Sequence, residues 1–127
     1  MNKPDEITTI LASLAAEDYC YLTTTGRVTG KPHDIEIWFG AQTGSIYLMA
    51  GDHKSDWVKN LFKDPNVTVR IAKYHFTGIA RPVTDQQDEM TARHMLADKY
   101  NERETDSSLS EWARSALVVV IDLILQV

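Results

Sequence analysis

Disulfide bonding within the chain is excluded at once, because Cys20 is the only cysteine. The fold must be held by a packed core, and a reducing compartment suits it. In its apolar setting the thiol reads as a packing group. Long hydrophobic runs are also missing. The most apolar segment, 116–125, is interrupted by Asp122 and falls well short of the about twenty residues a membrane-spanning helix needs. Nor does the chain start with an apolar stretch of signal-peptide type. The expectation is a soluble, cytoplasmic protein with no membrane partner. Positive charge is the minority, with 13 Lys and Arg against 18 Asp and Glu and a formal net charge of -5. That argues against nucleic acid as a partner, because such binding draws on a broad basic surface. Six glycines and four prolines are too few for a low-complexity or collagen-like chain.

The four histidines, His33, His53, His75 and His94, fall in four separate segments without ligand spacing, so no metal site is expected. Ser107, Ser108 and Cys20 have no evident base partner, which argues against nucleophilic hydrolysis. No residue stands out as catalytic. Tyr100 and His94, on the last long helix, are the side chains that could face a substrate, although packing or solvent is the plainer account of them.

What is present is a 127-residue chain, 43% hydrophobic, enough for one domain spanning 1–127. Ile7, Ile10, Leu11 and Leu14 recur at helical spacing and predict a helix over 5–16. Strands are expected at 19–24, at 35–39 where Ile35, Ile37 and Phe39 alternate with polar neighbours, and at 45–50 after a Thr43-Gly44 turn. A short helix over 55–63 would have Ser55 as its cap and Trp57, Val58, Leu61 and Phe62 as its stripe. Strands at 67–71 and 76–83 follow. A long helix over 84–100 would open on a Thr84-x-x-Gln87 capping box, with Met90, His94 and Ala97 or Met95 facing inward. One helical turn near 110–114 precedes a final strand, 117–125, apolar on both faces and therefore central. Short connections favour antiparallel pairing. The predicted fold class is α+β, mainly β: six antiparallel strands in a small closed sheet with peripheral helices. The two-sided final strand suggests a buried face shared with a second copy, hence a homodimer.

Two cationic turns carry the functional signal. The first is Thr23-Thr24-Thr25-Gly26-Arg27-Val28-Thr29-Gly30-Lys31-Pro32. Its glycines permit the close approach and positive φ that let backbone N–H groups converge on an anion. Arg27 adds a planar fork and Lys31 a mobile charge, with threonine hydroxyls such as Thr29 beside them. The second is Gly51-Asp52-His53-Lys54-Ser55, where Lys54 and Ser55 stand at an expected helix N-terminus. Trp38 and Trp57 are candidates to pack a flat ring. Taken singly, each turn could equally be an ordinary solvated loop.

The run Leu22-Thr23-Thr24-Thr25-Gly26-Arg27-x-Thr29-Gly30-Lys31-Pro32, followed by Ile37-Trp38-Phe39, resembles the deazaflavin-dependent nitroreductase and quinone reductase family. That family belongs to the split β-barrel flavin and deazaflavin oxidoreductases, alongside pyridoxamine 5'-phosphate oxidase-like proteins. Lys54-Ser55-x-Trp57-x-x-Asn60-Leu61 and Asp64-Pro65-Asn66-Val67-x-Val69 resemble it in the same order. The resemblance implies a six-stranded antiparallel split β-barrel that binds coenzyme F-420 or FMN beside the barrel. By position it implies cofactor contacts from Arg27, Thr29, Gly30 and Lys31, from Ala50 and Gly51 at a strand end, and from Lys54, Ser55, Trp57 and Asn60. The implied activity is hydride transfer to a small unsaturated, quinone-like or nitro compound. The alternative is a non-catalytic module of the same fold that holds a flavin or haem-type ligand.

Overall fold

The computed structural model describes residues 3–125. In chain order the elements are α1 (Lys3–Leu14), β1 (Cys20–Thr25), β2 (Pro32–Ile37), β3 (Gly40–Gln42), β4 (Ser45–Ala50), α2 (Asp56–Lys63), β5 (Asn66–Ile71), β6 (Tyr74–Pro82), α3 (Gln86–Tyr100), α4 (Glu111–Ser115) and β7 (Leu117–Leu125). All seven strands join one antiparallel sheet in the order β2-β1-β5-β6-β7-β4-β3. The sheet curls into a half-barrel that stays open between β2 and β3.

The expected closed, six-stranded barrel is therefore corrected on both counts. The single strand anticipated over 35–39 stops at Ile37, which pairs with Cys20. Phe39 then makes its backbone bonds elsewhere. Its N–H donates to the Tyr100 hydroxyl at 3.0 Å, and its carbonyl accepts from Lys99 Nζ at 2.9 Å. Two α3 side chains thus replace a neighbouring strand, as buried backbone polar groups require. The chain turns a corner there and restarts as β3 against β4, with Gly40 opposite Tyr47. At Gly40 a Cβ would lie 2.5 Å from Met95 Sδ and 2.9 Å from Leu96 Cδ1, so any side chain there would have to displace both.

β7 is central, as its two-sided apolar pattern predicts, lying between β6 and β4. Over Val118–Ile121 both its faces are covered within the chain, while Ile124 near its end is exposed. Val119, Ile121 and Leu123 enter the main core with α1 residues Ile7, Leu11 and Leu14. Val118 and Val120 enter a second core with Tyr47, Met49, Ala92, Leu96, Ala97 and Ala113. At Val118 and Val120 the second face is occupied by α3 and α4.

Two helix details also differ from expectation. Asp85, not Thr84, caps α3, accepting from the Gln87 N–H at 2.9 Å. The buried face of α3 is Ala92, Leu96 and Ala97, while Met90 and His94 are exposed. Ala92 and Ala97 let α3 lie close to the sheet, with Leu96 buried beside them and Met95 and Tyr100 partly buried against the second core.

Candidate functional site

The β1–β2 connection is built by its two glycines. The Gly30 N–H donates to the Gly26 carbonyl at 2.9 Å, and the Gly26 N–H donates to the Lys31 carbonyl at 2.7 Å. Gly30 has φ 76, the left-handed region that favours glycine. At Gly26 a Cβ would fall 2.8 Å from the His33 ring. The resulting turn leans on α2 through Asn60, which is 1% exposed. Asn60 Oδ1 accepts from the Arg27 backbone N–H at 3.1 Å and from Arg27 Nη1 at 2.9 Å. Its Nδ2 donates to Thr24 Oγ1 at 2.9 Å.

Arg27 Nη2 reaches Asp56 Oδ1, on the first residue of α2, at 3.1 Å. Asp56 is highly exposed, and exposed ion pairs contribute about 0–1 kcal/mol. A hydrogen bond to a charged group is worth about 1.5–3 kcal/mol. An anion can therefore take Nη2 from Asp56 at little cost while Asn60 still holds Nη1. A cavity of about 230 Å³ lies here, lined by Gly26, Arg27, Thr29, His33, Asp56 and Asn60 among others.

The second turn is organised by Asp52. Its carboxylate accepts from the Lys54 N–H at 2.8 Å, and its carbonyl accepts from the Ser55 N–H at 3.1 Å and from the Ser55 hydroxyl. Ser55 occupies the N-cap position of α2, yet its hydroxyl makes no cap bond to the helix. The expected capping role is replaced by a bond back into the turn. Gly51 abuts Trp112 of α4, where a Cβ would lie 3.2 Å from Cδ1. His53 Nε2 is 3.0 Å from the Ser115 carbonyl.

The structure thus sets the Arg27 turn beside the start of α2, two residues beyond Lys54. Thr29, Gly30 and Lys31 are exposed on the first turn, and Gly51 and Lys54 on the second. Neither lysine makes an ion pair among the described residues. Thr29 Oγ1 accepts from the Lys31 N–H at 3.2 Å. Ala50 is buried at the end of β4. Trp57 packs against the main core, and Asn60 uses its polar atoms to hold the Arg27 turn. These two are placed as supports of the site.

Trp38 takes a different place from Trp57. It stacks on Tyr100 with centroids 4.2 Å apart and meets Trp112 edge to face at 5.4 Å. Trp112 belongs to this region but was not legible in the sequence, because nothing local ties α4 to the end of β4. Tyr100 is a packing residue. Its hydroxyl is bonded to Phe39 and to the Asp18 carbonyl, and burial pushes its pKa up to about 12. His94 Nδ1 is 2.9 Å from Arg103 Nη2 on the outer face of α3. The Cys20 thiol is fully buried and is also raised to about 12 by burial, so it is not a nucleophile. Among the described residues no cluster of metal-ligating side chains occurs, and no helix is long and apolar enough to cross a membrane.

Several solved structures share this fold. A Bacteroides thetaiotaomicron protein proposed to confer 5-nitroimidazole antibiotic resistance aligns with TM-score 0.71 and 16% identity, over 91% of this chain and 78% of its own. A Listeria innocua protein proposed to be a pyridoxamine 5'-phosphate oxidase aligns with TM-score 0.66 and 17% identity, over 96% and 94%. The haem storage protein HutZ from Vibrio cholerae aligns with TM-score 0.69 and 15% identity, over 100% and 92%. At such identities the likeness establishes the fold, a pyridoxamine 5'-phosphate oxidase-like split barrel. The sequence itself matches the model of one family across residues 5–121. With that match spanning both cationic turns and six of the seven strands in full, the chain belongs to the F420H(2)-dependent quinone reductase family.

Proposed function

We propose that this protein is an oxidoreductase that uses reduced coenzyme F-420 to deliver hydride to a small quinone-like, nitro or otherwise unsaturated compound. The observation that carries the reading is the pairing of the Arg27 turn with the start of α2 in a chain of this family. The residues present fit the anionic part of such a cofactor. Lys31 and Lys54 are exposed cations that make no ion pair among the described residues, and Arg27 has only a weakly held carboxylate to give up.

The cofactor, when bound, supplies the hydride chemistry. The chain's own contribution is binding and orientation. Asn60 fixes the guanidinium of Arg27, Lys31 and Lys54 balance tail charge, and Gly30 leaves open space where any side chain would project. FMN is the alternative cofactor, since it offers the same turns a single phosphate. A haem- or flavin-holding module without turnover is the second reading. Its support is the likeness to HutZ, which is a likeness of fold.

Titration with coenzyme F-420 and, separately, with FMN tests the proposal. The expected result is a saturable change in the cofactor absorbance, with turnover of a quinone or nitro acceptor by the reduced form. Lys31→Ala and Lys54→Ala should each weaken binding by about 1.5–3 kcal/mol, as loss of a charged hydrogen bond does. Unchanged affinity in both variants would falsify the assignment of the tail site. We also propose a homodimer in the cytoplasm. Its support is the exposed apolar pair Ile79 on β6 and Ile124 on β7, and sedimentation showing only 14.4 kDa species would contradict it.

A further inference from the structure

An open groove of about 460 Å³ is lined by Tyr19, Glu36, Trp38, Met49, Glu102 and Trp112, together with Ile37. The volume suits a small-molecule pocket, for which about 300–1,000 Å³ is usual. Two features of its walls are combined nowhere else in the described cavities. Trp38 and Trp112 stand at 90° to each other, so the groove has two indole walls meeting at a corner. Tyr100 backs Trp38 in a parallel stack, and the absence of a side chain at Gly51 leaves room for the edge of the Trp112 indole.

The second feature is charge. Glu36 and Glu102 both line the groove, and no Lys or Arg does. Neither glutamate has an ion-pair partner among the described residues. Each is held by a hydroxyl: Tyr21 Oη donates to Glu36 Oε1 at 3.0 Å, and Ser110 Oγ donates to Glu102 Oε1 at 3.0 Å. Three cations of the chain are taken up by other partners. Arg70 lies over the Tyr21 ring at 4.2 Å, Arg103 pairs with Asp98, and Lys99 bonds the Phe39 carbonyl. Aromatic faces attract cations through the ring quadrupole, and two fixed carboxylates add Coulomb attraction of the same sign.

We infer that this groove is a binding site for a small planar cation, a charged heteroaromatic or an aryl ring bearing a positive group. The aromatic corner receives the flat face and the two glutamates receive the charge. The same charges repel a carboxylate- or phosphate-bearing ligand, so the groove sorts ligands oppositely to the Arg27, Lys31 and Lys54 turns. The inference goes beyond the cofactor reading, and it holds for the protein alone.

The test is isothermal titration calorimetry of the full chain with three flat probes of similar size: N-methylquinolinium, quinoline at a pH where it is uncharged, and naphthoate. The expected order is cation first, neutral ring second, anion last, with the cation favoured over quinoline by about fivefold or more. The double variant Glu36→Gln with Glu102→Gln should abolish that preference and leave quinoline binding unchanged, its fold confirmed by circular dichroism. The double variant Asp88→Asn with Glu104→Gln, outside the groove, should behave as the parent. Equal binding of cation and neutral ring overturns the inference. So does an equal loss in both double variants, which would trace the preference to the net charge of the whole protein.

Discussion

Asn60 shows how much a single buried amide can organise. Its carbonyl oxygen serves two donors of Arg27 and its amino group serves Thr24. Asn60→Ala would leave the Arg27 backbone N–H and the buried Thr24 hydroxyl without those partners. Unsatisfied buried groups cost about 1–3 kcal/mol each, so a loss of about 2–4 kcal/mol is expected in urea unfolding. The same variant should weaken cofactor binding, because Arg27 would lose its anchor while retaining its charge. The glycines of this turn were legible in the sequence, since turn chemistry is local. Asn60 was legible only as a motif position. Its partners lie 33 and 36 residues away, and no local pattern reports a bond across that distance. Trp57 and Trp38 illustrate the same limit: both are aromatic residues near a cationic turn, yet one packs against the core and the other joins an aromatic cluster.

Among the elements, strand positions and order of type were readable from periodicity, and the final strand's central place followed from its two apolar faces. The corner between β2 and β3 was not. The alternation of Ile35, Ile37 and Phe39 runs straight through it, and the break comes from α3, whose Lys99 and Tyr100 take the Phe39 backbone groups. A long-range partner overrides a local pattern. The β6–β7 ladder carries the clearest test at this scale. At Gly78 a Cβ would lie 2.6 Å from Ile121 Cγ2 and 3.0 Å from the Asp122 carbonyl oxygen. One of those atoms is backbone in a central strand and cannot step aside. Gly78→Ala should destabilise the fold by about 1–3 kcal/mol through overpacking, measured as a lower urea midpoint with an unchanged slope.

For the whole molecule, buried acids predict an alkaline limit. Burial raises Cys20 from 9.0 to about 12 and Tyr100 from 10.0 to about 12. Each group keeps its proton in the folded state after the unfolded chain has lost it. The stability they contribute is complete below pH 9 and is lost as pH rises from 9 toward 12, because the unfolded state binds fewer protons. Lys99 works the other way. Burial lowers its pKa, so deprotonation relieves a cost and partly offsets the decline. Urea midpoints followed across this range should fall, and in Cys20→Ala the onset should move up toward the ordinary tyrosine value of 10.0. A midpoint that stays level to pH 12 contradicts the burial argument.

The half-barrel's open seam has a further consequence. Because β2 and β3 each have one neighbour, both present a margin of unsatisfied main-chain groups, which is a template for self-propagating polymers. β3 offers only Gly40–Gln42 as a foothold. β2 starts on Pro32, which lacks an N–H, and exposes Asp34 and Glu36, braced by Thr23 and Tyr21. An incoming strand would meet negative charge along the longer margin and too little length along the shorter one. The acidic residues that look idle beside a cationic turn thereby act as gatekeepers, guarding the molecule against growth into fibres.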